Sequence, residues 1–393
     1  MQKKLVSIII IVLAFVISAY FSYNLFSKNA GNQAISPSST TINGQPANTG
    51  NDYQALTFDQ TQPKTQECPL NGVLYSNAEQ AWWQKHRPLG VMIENHLDAR
   101  PQSGISFADV TYEAVAEGGI TRTLNVYYCQ DAGIIGPVRS ARTYFVDFIS
   151  EYADFPLYAH VGGANTPGPA DALGQIDDYG WSGYNDMNQF SIGYPTYWRD
   201  DTRLGREVAT EHTMYSTTSK LWAVAQKRGL TNVDKKGDSW DTNFVKYSFK
   251  DAALASARPA SQAIHIEFWN DPNYYVDWTY DKQSDLYLRK NGGKPHLDRN
   301  TNKQLTASNV IILYMTEKHA DDGYEDNAHL LYGTKGQGKA QIFIDGKQIK
   351  GTWEKASRTD RTKILDASGN EIKFTRGKLW FEIVATDSTV TIN

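Results

Sequence analysis

The hydrophobic pattern of the chain begins with an uncharged apolar run over residues 5–26, directly after Lys3 and Lys4. About 20 consecutive apolar residues are enough to cross a bilayer as a helix. Basic residues before such a run favour a cytoplasmic N-terminus, and Ile17 is a poor residue for the minus-three position of a signal-peptidase site. We therefore predict a transmembrane anchor over residues 1–27, with the rest of the chain outside the cytoplasm. A cleaved signal peptide is the alternative.

The next segment, residues 28–67, contains few residues that could enter a core. It is rich in Ser, Thr, Asn, Gln, Gly and Pro. Chains of this composition bury too little apolar surface to fold alone, so we predict a flexible linker.

Hydrophobic periodicity then indicates a first folded domain over residues 68–254. The pattern predicts helices at NAEQAWWQKH and STTSKLWAVAQKRG, and buried strands at GVMIEN and LYAHVGG. Two β-rich runs flank Gly118 and Gly119, which is typical of a β-hairpin. In GPVRSARTYFVDFISEYADF, aromatic and aliphatic residues recur at helical spacing, so we predict a helix that starts near Pro137 or Ser140.

From residue 255 onward the pattern changes to short alternating strands separated by Gly, Asn and Asp turns. The predicted fold class is therefore α+β, with an α/β-like N-terminal domain over residues 68–254 and a β-rich C-terminal domain over residues 255–393. A loop-rich stretch at residues 164–205 interrupts the first domain, and long irregular segments often border a functional site.

The hairpin pattern brings charged residues together. If Gly118 and Gly119 form the loop, Glu117 pairs with Ile120 and the next pair places Arg122 opposite residue 115. Because residues two apart share a face of a strand, Glu113, Glu117 and Arg122 would lie on one face. A slip of the register by one residue would remove this cluster.

Two further arginines, Arg139 and Arg142, lie three residues apart in GPVRSART and would share one side of the predicted helix. With Ser140 and the free N–H groups of a helix N-terminus, they would suit a phosphate or carboxylate. The alternative is a structural network in which these arginines pair with Glu113 or Glu117.

Other candidate residues are carboxylates and histidines. Glu94 and Asn95 end a predicted strand, where α/β sheets often place their sites, and Glu94 with Glu113 or Glu117 would supply an acid and a base for glycoside hydrolysis. The histidine sites of interest are His160, His212 and His296, with Glu211 and Asp298 beside the last two. Because their spacing matches no zinc motif, we predict no metal and no cofactor.

Charge and cysteine content limit the partners. The formal net charge is −4, which argues against nucleic acid as a partner. Two cysteines, Cys68 and Cys129, follow the predicted anchor, so we predict a disulfide, with two separate buried thiols as the alternative.

Several ordered motifs resemble the YerB-like family of bacterial extracytoplasmic proteins. The motifs are VMIENHLDARPQSGISFADVTYEAVAEGGITR, GPVRSART, HVGGA, EHTMY, PHLD, NVIIL and GKQIKGTWEK. The resemblance covers the chain from about residue 68 and implies two domains, membrane attachment and no accepted catalytic residues. The family pattern includes a lipidated cysteine, whereas this chain has the apolar run in its place.

These observations leave three functional hypotheses. The first is an envelope protein that binds an anionic or glycan ligand; the candidate binding residues are Glu94, Asn95, Arg100, Gln102, Arg122, Arg139, Ser140, Arg142 and His160. The second is a cell-wall hydrolase, with Glu94, Glu113, Glu117 and His160 as catalytic candidates and His212 as an auxiliary. The third is a scaffold that binds envelope proteins through the β-rich domain. All three have the bacterial membrane as a partner, through the N-terminal helix.

Overall fold

The structure is a computed structural model that describes residues 55–393. The predicted anchor and most of the predicted linker lie outside the described residues. Within residues 55–393, every helix is too short or too polar to cross a membrane. Residues 55–67, which we assigned to the linker, contact the folded body: the Phe58 and Trp82 rings lie 6.0 Å apart, and Gln66–Glu67 pairs with Leu74–Tyr75.

Strands make up most of the described chain. Those of the two larger sheets are β1 (Leu89–Glu94), β2 (Val110–Glu117), β3 (Ile120–Tyr127), β4 (Leu157–His160), β5 (Asp186–Asn188), β6 (Ala263–Glu267), β7 (Val276–Asp281), β8 (Leu286–Asn291), β9 (Asn309–Met315), β10 (Gly336–Ile344), β11 (Lys347–Lys355), β12 (Lys363–Asp366), β13 (Leu379–Ala385) and β14 (Thr389–Ile392). The helices are α1 (Asn77–Trp83), α2 (Thr143–Ile149), α3 (Ala172–Asp178), α4 (Gln189–Ile192) and α5 (Thr218–Lys227).

The remaining strands are short. They are Gln66–Glu67, Leu74–Tyr75, Ile134–Ile135, Trp198–Arg199, Met214–Thr217, Ser248–Lys250, Lys294–Pro295, Leu297–Asp298, Lys303–Gln304, Thr306–Ala307, Glu317–His319, Leu330–Tyr332 and Lys373–Thr375. The fold is therefore mainly β with short helices. The helices predicted at α1 and α5 and the strands predicted at β1 and β4 are confirmed. The first domain is less helical than an α/β-like domain was expected to be, because its helices have only four to ten residues.

The larger sheet has ten strands in the order β12-β11-β10-β9-β13-β2-β3-β1-β4-β5. Strand β13 lies between β9 and β2 and runs parallel to both. The predicted boundary at residues 254 and 255 therefore separates two stretches of sequence whose strands meet in one sheet. The second sheet contains β8, β7, β6 and β14 in that order, with Lys294–Pro295 at one edge and Thr306–Ala307 beside β8.

Both faces of the central strands are covered. Every residue of β1, β9 and β13 is buried, as expected for apolar strands that lie inside a protein. On one face, the Tyr112 ring stacks on Phe148 of α2 and on Phe381, with centroids 4.9 and 4.8 Å away. On the other face, Trp380 packs edge-on against Trp278 of the second sheet at 5.2 Å.

The helix that we predicted from Pro137 or Ser140 begins only at Thr143. The chain before it is extended, because its backbone bonds to neighbouring strands rather than to itself. The Arg139 N–H donates to Met92 O at 2.9 Å, and Arg139 O accepts from Val161 N at 3.0 Å. Arg139 and Arg142 therefore do not share a helix face, and the predicted arrangement of both arginines on one side of a helix N-terminus does not form.

The hairpin of β2 and β3 contains a β-bulge that the sequence did not reveal. Glu117 pairs with Ile120 as predicted, but Arg122 pairs with Ala114, because the register shifts between Val115 and Glu117. An extra residue in one strand moves the side chains beyond it to the other face. Glu113 and Glu117 therefore point to opposite faces, and the predicted three-residue cluster does not form.

The disulfide predicted from the two cysteines is present in the structure. Cys68 and Cys129 are bonded and buried, and the bond closes a loop with a sequence separation of 61. It ties the segment before α1 to the chain that follows β3. In the chain-entropy account, closing a loop of this length stabilises a fold by about 4 kcal/mol.

A buried charge network joins the two sheets. Glu113 of β2 and Arg289 of β8 are both fully buried, and Glu113 Oε2 lies 2.5 Å from Arg289 Nη2. Glu382 of β13 accepts a hydrogen bond from Trp278 Nε1 at 2.7 Å. Burial and the nearby charge of Glu113 raise the pKa of Glu382 from its ordinary 4.5 to about 8, although Arg289 acts in the opposite direction.

This network predicts how stability depends on pH. Between pH 4.5 and 8 the folded protein holds a proton on Glu382 that the unfolded chain has lost, so stability falls as pH rises through this window. Glu382→Gln removes that dependence. The unfolding free energy of the variant minus that of the wild type should therefore increase with pH, by at most about 1.4 kcal/mol per unit. Urea unfolding at several pH values measures it, and a constant difference would contradict the prediction.

Candidate functional site

A cleft opens where the parallel strands β1 and β4 end at the same edge of the larger sheet. Its volume is about 720 Å³. The lining includes Arg139 and Ser140 of the extended segment, Gly162 and Gly163 after β4, and residues from the loops around β5 and before Met214–Thr217. Gly163 allows a close approach, because a Cβ there would lie 3.1 Å from that of Ala141. Ends of parallel strands are common positions for binding sites.

Arg139 is the predicted arginine that lines this cleft. Its Nε lies 3.3 Å from Glu94 Oε1, and about a quarter of its side chain is exposed. The guanidinium makes no hydrogen bond of good geometry to another described residue, and its Nε is buried without one. Arg139 therefore keeps guanidinium donors without a hydrogen-bond partner among the described residues, and its side chain lines the cleft.

Glu94, at the end of β1 as predicted, lies between this arginine and a histidine. Its second oxygen, Oε2, is 2.9 Å from His212 Nδ1. This hydrogen bond to Glu94, aided by the negative charge of that carboxylate, raises the pKa of His212. Glu94, Arg139 and His212 thus form a short charged chain beside the cleft.

Arg142 and Arg122 have a different environment. Both are almost fully buried, and both pair with the one carboxylate of Glu117, at 3.0 Å in the case of Arg122 Nη2. Burial alone would raise the pKa of Glu117, but the charges of Arg122 and Arg142 outweigh it and lower this pKa to about 2. Arg122 also donates to Ser140 O at 3.0 Å. Arg142 is thus paired with Glu117, as the network alternative supposed for Arg139 and Arg142, and Arg122 shares the same carboxylate.

The two arginines of GPVRSART therefore have separate roles. Along an extended chain, residues three apart point to opposite sides, so Arg139 reaches the cleft while Arg142 turns inward. Ser140, between them, lines the cleft.

His160 does not enter the cleft. It is fully buried, with Nε2 2.7 Å from Asp186 Oδ1 and Nδ1 2.7 Å from Gly162 O. Both ring nitrogens are thus occupied. Its role is to hold β4 to β5 and to fix the glycine turn that lines the cleft.

Asn95, Arg100 and Gln102 belong to the buried network between the sheets. Asn95 Nδ2 donates to Thr121 Oγ1 at 2.7 Å, and Arg100 Nη2 donates to Asn95 O at 2.9 Å. Gln102 Nε2 donates to Asn95 Oδ1 at 2.8 Å, and its Oε1 lies 2.7 Å from His296 Nε2. These side chains connect residues 68–254 to residues 255–393 and do not face the cleft.

The carboxylates considered for catalysis do not converge. Glu113 is fully buried against Arg289, Glu117 is held by two arginines, and Glu94 pairs with Arg139 and His212. Among the described residues that line the cleft, one carboxylate is present, that of Glu211.

Sequence reasoning missed part of the lining. Asn188, Phe190 and Arg199 also border the cleft, and Phe190 is 77% exposed. All three come from the loop-rich stretch at residues 164–205. Its length indicated a nearby site, but the pattern did not identify which side chains would face it.

Comparison with known proteins finds matches to both the N-terminal and the C-terminal part of the chain. Residues 72–231 match the family model described as "Protein of unknown function (DUF3048) N-terminal domain", and residues 264–381 match its C-terminal domain. The chain is 29% identical over 325 residues to "Putative lipoprotein YerB" of Bacillus subtilis (strain 168), across 82% of this chain and 87% of that protein. The crystal structure of the YerB protein from Bacillus subtilis superposes with a TM-score of 0.66 at 24% identity, across 83% of this chain and 99% of that chain. At this identity the superposition shows a shared fold.

The Glu117 pairing predicts a large effect on stability. Glu117→Gln would leave Arg122 and Arg142 buried, close together and without a negative partner. We expect the free energy of unfolding to fall by about 3 kcal/mol. Glu211→Gln, at an exposed carboxylate, is the matched control and should change it by less than about 0.5 kcal/mol. Urea denaturation measures both, and equal effects would refute the structural role of Glu117.

Proposed function

Because the chain belongs to the DUF3048 family and is similar to the putative lipoprotein YerB over most of its length, we propose that it is a membrane-attached extracytoplasmic protein that binds an anionic or glycan ligand of the cell envelope. The ligand would bind in the cleft at the ends of β1 and β4.

The cellular location is supported by three observations. The relative in Bacillus subtilis carries the name of a lipoprotein. The apolar run at residues 5–26 is long enough for a membrane anchor. The Cys68–Cys129 disulfide suits an oxidising compartment outside the cytoplasm.

The arginines of the cleft lining support an anionic ligand. Arg139 and Arg199 line the cleft, whose lining includes one carboxylate, that of Glu211; a second carboxylate, that of Glu94, pairs with Arg139 beside it. Arg199 is exposed and uses Nη1 for Thr213 Oγ1, at 3.3 Å, and for Thr210 O. A guanidinium offers several donors in one plane, which suits the oxygens of a phosphate or carboxylate.

The exposed ring of Phe190 supports a ligand that also has a sugar. Phe190 lies over Gly162, where a Cβ would be 3.0 Å from the ring. Binding sites combine such an apolar surface with a few placed polar groups, here Ser140, Asn165 and Asn188. An aromatic ring beside amides and hydroxyls is suited to the apolar face and the hydroxyl rim of a sugar.

The observation that carries the proposal is that Arg139 lines the cleft with donors that no described residue uses. Arg122, Arg139 and Arg142 follow one another along the motifs, and Arg122 and Arg142 both pair with the single carboxylate of Glu117. Arg139 has its single carboxylate contact with Glu94 and still faces the cleft. A charged side chain with unused donors at the wall of a cleft is a natural anchor for a ligand of opposite charge.

The alternatives have less support. A hydrolase of the paired-carboxylate type would need two carboxylates facing one substrate, whereas Glu113 and Glu117 are engaged elsewhere. A scaffold for envelope proteins would use the β-rich segment, and no feature described above favours a particular partner there.

Binding of defined wall components tests the proposal. The probes are soluble peptidoglycan fragments and a poly(glycerol phosphate) polymer, measured by calorimetry with the purified chain. We expect Arg139→Ala to weaken binding of the preferred probe about 10-fold or more, since a charge-assisted hydrogen bond contributes about 1.5–3 kcal/mol. Phe190→Ala should weaken the binding of the peptidoglycan fragments more than the binding of the phosphate polymer.

The matched control is Lys347→Ala. Lys347 is exposed on β11, near the opposite edge of the larger sheet from β5, and its loss removes the same charge. Binding should be unchanged in this variant. Equal binding by the Arg139→Ala variant and the wild type, with both probes, would eliminate the proposal.

A further inference from the structure

We propose that His96, Asp98 and His212 form a binding site for one divalent transition-metal ion, zinc in particular, beside the cleft. The site does not depend on the proposed wall ligand. Imidazole nitrogens with one carboxylate oxygen are ligands that zinc takes readily.

Two short turns bring these residues together. His96 immediately precedes the turn Leu97–Ala99, which follows β1, and His212 ends the turn Thr210–His212. The two imidazole rings stack nearly parallel, with centroids 4.6 Å apart and an interplanar angle of 6°. Residues that are more than a hundred positions apart in the sequence thus present their rings side by side.

The spacing of the donor atoms is close to that of a metal centre. One donor atom from each of His96, Asp98 and His212 lies within 4.8 Å of the other two. His96 Nδ1 and Asp98 Oδ2 are 3.8 Å apart, and Nδ1 accepts a hydrogen bond from Asp98 N at 3.1 Å, which the ring would give up if Nδ1 bound the ion. Ligands at about 2.0 Å from a tetrahedral zinc ion are about 3.3 Å from one another. The His96 ring must tilt out of the stack to point at a shared ion, and both His96 and Asp98 are exposed enough to move, at 31% and 49% of their side chains.

His212 is already held in the orientation that a metal ligand needs. Glu94 Oε2 accepts from its Nδ1 at 2.9 Å, which leaves Nε2 as the nitrogen available for an ion. A carboxylate that fixes one ring nitrogen of a ligating histidine is a common feature of zinc sites. Arg139 contacts the other oxygen of Glu94 and so holds this carboxylate in place.

Arg206 forms an ion pair with the carboxylate of Asp98. Its Nη1 lies 2.6 Å from Asp98 Oδ1, and both side chains are about half exposed. A dication would compete with this guanidinium for Asp98. The arrangement therefore predicts a variant that binds the metal more tightly, which a purely structural role for the histidines would not produce.

The test is titration of the purified full chain with Zn²⁺ at pH 7.5, followed by calorimetry, with Co²⁺ absorption as a second readout of ligand geometry. We expect one site per chain. A His96→Ala, His212→Ala double variant should lose it, and Glu94→Gln should weaken it about 10- to 100-fold. Arg206→Ala should bind more tightly than the wild type.

His265 provides the matched control. Its side chain is 31% exposed, the same as that of His96, and it also lies among carboxylates. Asp277 and Glu267 contact opposite ring nitrogens, so they do not converge with the ring on one point. His265→Ala should leave Zn²⁺ affinity unchanged. The proposal fails if the folded wild type shows no binding at millimolar Zn²⁺, or if the double variant binds as the wild type does.

Discussion

The β-bulge between Val115 and Glu117 decides which charged side chains pair inside the protein and which reach its surface. By moving Glu117 to the face opposite Glu113, it provides one carboxylate for two buried arginines, Arg122 and Arg142. Glu113 then remains free to pair with Arg289 and to join the two sheets. Removal of one partner from a buried ion pair is strongly destabilising, so the stability of the fold depends on this distribution.

The same distribution determines the character of the cleft. With Glu113 and Glu117 used in the interior, Glu94 is the carboxylate nearest to Arg139, and it is shared with His212. The cleft therefore presents an arginine with unused donors, next to a histidine whose orientation is fixed. Ligand binding at Arg139 and metal binding at His212 would both act on Glu94, so each is expected to influence the other.

Local pattern predicted most elements but not the contacts that build the site. The periodicity of α1, α5, β1 and β4 is contained in each segment, and these elements are confirmed. The predicted start of α2 was wrong because the backbone of residues 137–141 forms hydrogen bonds with β1 and with the chain after β4, and both are distant in sequence. The bulge has no marker such as glycine within β2, and the pairing of Glu113 with Arg289 spans a separation of 176 residues. Such long-range choices cannot be read from a window of sequence.

The unequal availability of Arg122, Arg139 and Arg142 is the central claim, and chemical labelling tests it most directly. Phenylglyoxal modification of the folded chain, mapped by peptide mass spectrometry, reports the reactivity of each guanidinium. A quarter of the Arg139 side chain is exposed, against 3% for Arg122 and 6% for Arg142. We predict rapid modification of Arg139, slowed by the bound wall component, with Arg122 and Arg142 protected until the protein unfolds. Modification of all three at similar rates in the folded protein would contradict the account.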